Sequence, residues 1–221
     1  MNGNSIKKTN HFLDIVLTVV ITGSAIASTR ADETAVSFDD SAMFIGEGGT
    51  DVYGWQFSTV SDIQISALGL YDYYHGDGLS AQHTIAIWDV SNPSQPLFSA
   101  VIPAGSLTPI MEDFRYVNVT PVTLPAGHDY VIGALYLSDD VLVGAINNPS
   151  WLLTVGPGLQ FGGSRAGAAP SAVLAFPGYY SPGDQDGFGP NFTYTIVPEP
   201  GTLGLLALGC SLGGGLYFRR K

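Results

Sequence analysis

From position 50 to 196 apolar and polar residues alternate, Gly, Pro, Asn and Asp turns recur roughly every eight to twelve positions, and no stretch keeps a helical period. This pattern constrains the fold more than any other feature of the chain, because a period of two gives each segment one face to bury and one to expose only if the backbone is extended. Thr84-Ile85-Ala86-Ile87-Trp88 and Tyr116-Val117-Asn118-Val119 show it most clearly, with β-branched and aromatic residues between smaller or polar ones. Strands are expected at 52–59, 63–71, 83–89, 97–102, 114–119, 130–137, 152–155, 172–176 and 192–196. Many short strands joined by Gly- and Pro-containing turns predict an all-β domain, a β-sandwich of jelly-roll-like type, over 51–196. The region 147–191, dense in Gly, Pro and Ala, reads mainly as long loops on that sandwich.

The two ends follow other rules. Residues 1–27 read as a signal peptide with a signal helix: Lys7 and Lys8 precede an apolar run around 15–21, and Ala25 and Ala27 offer the small side chains a signal peptidase requires. Thr29-Arg30-Ala31 is an alternative cleavage site. The apolar run is short of the ~20 residues of a spanning helix, so cleavage is expected over anchoring. Residues 28–50 form a lead-in to the domain.

At the other end, Pro198-Glu199-Pro200 precedes a Gly- and Leu-rich apolar run over 201–218 and then Arg219, Arg220 and Lys221. The prolines prevent a continuous helix and leave an extended peptide. The run is long enough for a single transmembrane helix, and the basic stop at its end belongs on the cytoplasmic side, which puts the body outside. This order of motif, short span and basic end over 197–221 resembles the PEP-CTERM sorting signal of Gram-negative bacteria. The resemblance implies recognition by an exosortase, a membrane-embedded cysteine transpeptidase-like enzyme that cuts at or near the motif and delivers the body to the cell surface or to exopolysaccharide. Pro198, Glu199 and Pro200 would then be substrate residues. Cys210, the one cysteine, falls inside the span and leaves the body without disulfides.

A second resemblance runs through the body. Gly54-Trp55-Gln56-Phe57, Ile65-Ser66-Ala67-Leu68-Gly69-Leu70-Tyr71-Asp72, Asp77-Gly78-Leu79 with Ile87-Trp88-Asp89, Phe114-Arg115-Tyr116 and the phrase from Pro121 to Gly133 look like an uncharacterised extracellular β-sandwich family of bacterial surface proteins. It implies the fold and no activity.

Charge narrows the partners. The chain carries a formal net charge of -11, and the body has no lysine: seventeen carboxylates stand against Arg30, Arg115 and Arg165. Such a surface repels phosphate backbones, which excludes nucleic acid.

Several groups invite chemistry. His75 and His83 flank Asp77, but no third ligand follows at zinc spacing, and a turn leading into a strand accounts for them. Asp184-Gln185-Asp186-Gly187 alternates carboxylates before a glycine as calcium loops do, yet lacks a closing bidentate glutamate, so a solvated loop is preferred to calcium at Asp184 and Asp186. Asp72 with Asp77, and Asp39 with Asp40, are weaker forms of the same pattern. Glu47, Glu112 and Asp113 are available for glycoside hydrolysis, but chain spacing does not place them. No nucleophile elbow, His-Glu-x-x-His or phosphate loop occurs, so no catalytic residue and no cofactor is expected. Tyr71, Tyr73, Tyr74, Trp88, Trp151 and Tyr179-Tyr180 are candidates for stacking on sugars, or for the core. The expectation is a non-enzymatic structural or interaction protein of the cell envelope or biofilm matrix, transiently anchored in the inner membrane and processed by an exosortase. The alternative is an extracellular carbohydrate-binding module, with calcium as an aid.

Overall fold

The computed structural model describes residues 32–38, 44–47, 50–73, 76–137, 140–144, 153–169 and 171–198. All belong to the compact unit Ala31–Lys221. The unit Met1–Arg30, with the signal segment, and the tail beyond Pro198 lie outside the described residues.

Every described element is a strand. In chain order these are β1 (Glu33–Thr34), β2 (Val36–Phe38), β3 (Phe44–Glu47), β4 (Asp51–Thr59), β5 (Ile63–Tyr71), β6 (His83–Asp89), β7 (Phe98–Ile102) and β8 (Ile110–Met111). They continue with β9 (Phe114–Leu124), β10 (Asp129–Leu135), β11 (Val141–Gly144), β12 (Leu153–Val155), β13 (Leu159–Ala168), β14 (Tyr179–Pro182) and β15 (Pro190–Ile196). One sheet has five strands in the order β1-β15-β5-β9-β8, and a second has six in the order β14-β13-β4-β10-β6-β7. Two short pairs, β11-β3 and β12-β2, complete a β-sandwich-like body, and every pairing is antiparallel. The lead-in contributes to these sheets: β1 pairs with β15, β2 with β12 and β3 with β11.

The facing sides of the two sheets meet in an aromatic core. Trp55 of β4 stacks on Phe192 of β15 with centroids 5.8 Å apart and planes at 11°, and Phe57 lies 5.0 Å from the same ring. The indole is fully buried, and its Nε1 donates to the Pro190 carbonyl oxygen at 2.8 Å, so its polar edge is satisfied inside the core. Alternation along β4 turns Gln56 and Val52 to the opposite face. There the segment after β13 covers them: Leu174 packs on Val52, Leu135 and Ala169, and Phe176 meets Trp88 edge-on at 6.1 Å.

The region 147–191 corrects the sequence reading. The ten-residue β13 occupies it and pairs with β4 on one side and β14 on the other. Its sequence, Leu-Gln-Phe-Gly-Gly-Ser-Arg-Ala-Gly-Ala, has little β propensity, and neighbouring strands hold it extended. A bulge between Phe161 and Gly163 breaks its register, with Gly163 at φ 147°, a value that favours glycine. Conversely, the strand expected at 172–176 is absent. Ala172 sits at φ 53° and its N–H donates to the Ala169 carbonyl at 2.8 Å, which closes a turn. Because this exposed alanine occupies a left-handed conformation, Ala172→Gly is expected to raise stability by about 0.5 kcal/mol, read as a small increase in Tm. The strand expected to end at Val119 runs on to Leu124, since an irregularity in its pairing with β5 accommodates Pro121.

Candidate functional site

Three settings hold the carboxylates that could carry chemistry. Glu112 and Asp113, at φ 47° and 67°, form the two-residue turn between β8 and β9, the backbone of a type I′ hairpin. Glu112 accepts a hydrogen bond from Thr34 at 2.7 Å, so this pair shapes a turn and does not face across a cleft.

The second setting is buried side-chain pairing. Asp72, just past β5, accepts from Arg115 Nε of β9 at 2.6 Å, and Arg115 Nη1 also donates to the carbonyls of Ser106 and Thr108. His83, expected at a strand start, is the first residue of β6 and fully buried. Its Nδ1 lies 3.0 Å from the Leu135 carbonyl oxygen and its Nε2 lies 2.7 Å from Asp140 Oδ2. Asp140 also accepts from Ser80 N, Ser80 Oγ and Ala81 N. Burial alone would push the Asp140 carboxyl up, but the bonds from His83, Ser80 and Ala81 outweigh it and hold the group well below the usual carboxylate range. Asp77 is exposed and apart from this cluster, and His75 lies outside the described residues. Sequence alone did not single out Asp140, whose partner is 57 positions away.

The third setting is a cavity of about 250 Å³ at the β14 edge of the six-stranded sheet, where β13, β14 and β4 meet β11 and the loop 183–189. Tyr53, Val143, Tyr179, Ser181, Asp184 and Asp186 line it. Cross-strand register explains the set. Ala166 stands opposite both Tyr53 and Tyr179, and Ser164 stands opposite Ser181, so these side chains share one face. Arg165, between Ser164 and Ala166, also borders the cavity, but its guanidinium goes to the other face. There it donates to Gln56 and lies 4.2 Å from the Tyr180 ring and 5.4 Å from that of Phe176. The adjacent tyrosines therefore divide: Tyr180 packs under Arg165, while Tyr179 opens to the cavity and is 70% exposed.

The loop carrying Asp184 and Asp186 is tied to β13. Ser164 Oγ donates to the Asp184 carbonyl at 2.7 Å and accepts from Asp186 N at 2.9 Å. Ser181 Oγ donates to Asp184 Oδ2 at 3.1 Å. A Cβ on Gly144 of β11 would come 3.1 Å from Asp186 Cα, so the absence of a side chain there admits the loop. Partial burial, and then the neighbouring Asp184 charge, raise the Asp186 carboxyl above its ordinary value against the opposing Gly187 backbone bond. Both residues of the candidate calcium loop thus reach one cavity, but among the described residues no group of three or more His, Cys, Asp or Glu side chains is placed to hold a metal ion.

Of the other aromatic candidates, Tyr71 and Trp88 are core, Tyr73 is partly exposed away from the cavity, and Tyr74 and Trp151 lie outside the described residues. At the C-terminal end, β15 closes at Ile196, and the Val197 N–H still donates to the Asp62 carbonyl at 2.9 Å. Pro198 follows directly. Glu199, Pro200, the run 201–218, Cys210 and the basic residues Arg219, Arg220 and Lys221 lie outside the described residues, as do Ala25 and Ala27. Among the described residues no helix is long and apolar enough to cross a membrane.

The described body is thus an all-β, sandwich-like domain whose last strand ends just before the C-terminal segment. The family model of the PEP-CTERM protein-sorting motif matches residues 197–221, and that tail marks the chain for exosortase-dependent sorting as an exported, membrane-transiting protein of the Gram-negative type. The match covers the tail alone and leaves the sandwich outside it. No curated protein matches the chain.

Proposed function

We propose that this chain is a structural or interaction protein of the cell surface or exopolysaccharide matrix, delivered there when an exosortase removes its tail. The observation that carries the reading is the junction. The family match begins at Val197, the residue whose N–H makes the last backbone bond after β15, so a cut at or near Pro198-Glu199-Pro200 leaves every described strand in the released body. The span over 201–218 would serve as a transient inner-membrane anchor and Arg219, Arg220 and Lys221 as its cytoplasmic stop. The acidic body would keep the released protein soluble among matrix polymers.

We read the body as non-enzymatic. The turn position of Glu112 and Asp113, and the buried partners of Asp72 and Asp140, give those carboxylates structural occupations. Steady release of product from aryl glycosides by the purified protein would contradict this. A direct test of the sorting motif is the variant with Pro198→Ala and Glu199→Ala together. In a host that possesses the cognate exosortase, the variant is expected to keep its tail to Lys221 by intact mass while the unaltered chain loses it. Equal processing of both would remove the motif from the account.

A further inference from the structure

We propose that the cavity between β14, β11 and the Asp184–Asp186 loop is a binding site for a single sugar ring that carries no acidic group. At about 250 Å³ the space is below the roughly 300–1,000 Å³ typical of sites for drug-sized ligands, which suits one pyranose ring and excludes a dinucleotide or a haem. Its walls combine what such a ring requires. Tyr179 presents a largely exposed aromatic ring, a flat apolar surface for the C–H face of a sugar. Asp184 and Asp186 supply acceptors for hydroxyl hydrogens, and Val143 and Leu142 close an apolar side.

The charge decides between sugar classes. Among the described residues the cation that borders the cavity is Arg165, and its guanidinium is turned to the opposite face and held there by Gln56, Tyr180 and Phe176. With that guanidinium engaged elsewhere, the charge left facing the cavity is that of Asp184 and Asp186, and a uronate, sulfate or phosphate would meet like charge. Hydroxyl donors instead give these partly buried carboxylates hydrogen-bond partners in place of water. The ring is held by a preformed wall, since Ser164 and Ser181 fix the Asp184 segment by three hydrogen bonds that a ligand need not supply. The site rests on the reading that the body works outside the cell, where polysaccharide is its surroundings.

The test uses the full chain in a zwitterionic detergent without a sugar headgroup. The probes are methyl glycosides of glucose, galactose and mannose, with methyl glucuronoside as the acidic counterpart. Binding is read by saturation-transfer NMR and by titration calorimetry. At least one neutral hexoside is expected to bind with its C–H face saturated, and the glucuronoside about tenfold more weakly. Tyr179→Ala and Asp184→Asn are each expected to weaken the neutral ligand about tenfold, and Tyr179→Phe to retain it. Tyr179 is exposed, so unchanged thermal melting serves as the folding control for its variants. The proposal is overturned if no neutral hexoside binds, if the glucuronoside binds equally or better, or if both weakening variants bind like the unaltered chain. Tail removal by an exosortase is independent of these residues, so normal processing with no sugar binding removes the site and leaves the sorting account standing.

Discussion

Asp140→Ala is expected to destabilise the protein by about 3–5 kcal/mol at neutral pH, measured by urea denaturation followed through tryptophan fluorescence. The size follows from what the substitution strands. His83 is fully buried, with a carbonyl oxygen at one ring nitrogen and the Asp140 carboxylate at the other. Ser80 N, Ser80 Oγ and Ala81 N lose the same acceptor. A buried donor left unsatisfied costs about 1–3 kcal/mol and more beside a lost charge, which here falls on the His83 ring, while Ser80 is exposed and Ala81 half-buried and add less. The pH dependence has a definite sign. The Asp140 carboxyl is held below its ordinary value in the fold, so the unfolded chain binds its proton first as pH falls. Its stabilisation is complete above the unfolded value of about 3.9 and is lost as pH drops from there toward the lower folded value. In Asp140→Asn that part of the acid limb is expected to disappear. An acid limb with the same slope in both proteins would show that the cluster does not contribute as described.

Trp55→Ala is expected to cost about 3–5 kcal/mol, a large fraction of the ~5–15 kcal/mol available to a domain of this kind. The indole bridges the two sheets. It belongs to β4 in the six-stranded sheet, stacks on Phe192 of β15 in the five-stranded sheet, and also contacts Phe57, Phe161 and Phe188. Truncation opens a cavity among these rings and removes the donor to the Pro190 carbonyl oxygen. Trp55→Phe keeps most of the volume and is expected to lose less, chiefly the hydrogen bond. The same assay separates the two variants, and a loss below about 1 kcal/mol for Trp55→Ala would contradict a core centred on this residue.

The period-two segments were legible in the sequence because burial on one face writes itself into the residues. Positions 63–71 and 83–89 coincide with β5 and β6, and Trp55 and Phe57 alternate with residues on the other face of β4. β13 escaped because its Gly, Ser and Ala side chains carry little pattern, and its extended form comes from β4 and β14 on either side. The short strands β1, β2 and β8 escaped because two or three residues hold no period. Asp184 and Asp186 were visible as alternating carboxylates, but Tyr53 and Ser164 join them only through cross-strand register. His83 looked like a strand start, and its buried partner Asp140 has no local signature. The tail, in contrast, matches the sorting-motif family over the consecutive residues 197–221, so its signal is local and survives without tertiary context.

The most direct measurement is intact mass, with cell fractionation, of this protein expressed in a host with its exosortase and in the same host lacking that enzyme. Loss of the tail near Pro198-Glu199-Pro200 and a body outside the inner membrane are expected only when the enzyme is present. A tail retained through Lys221 in both hosts would contradict this and leave the peptide a plain anchor.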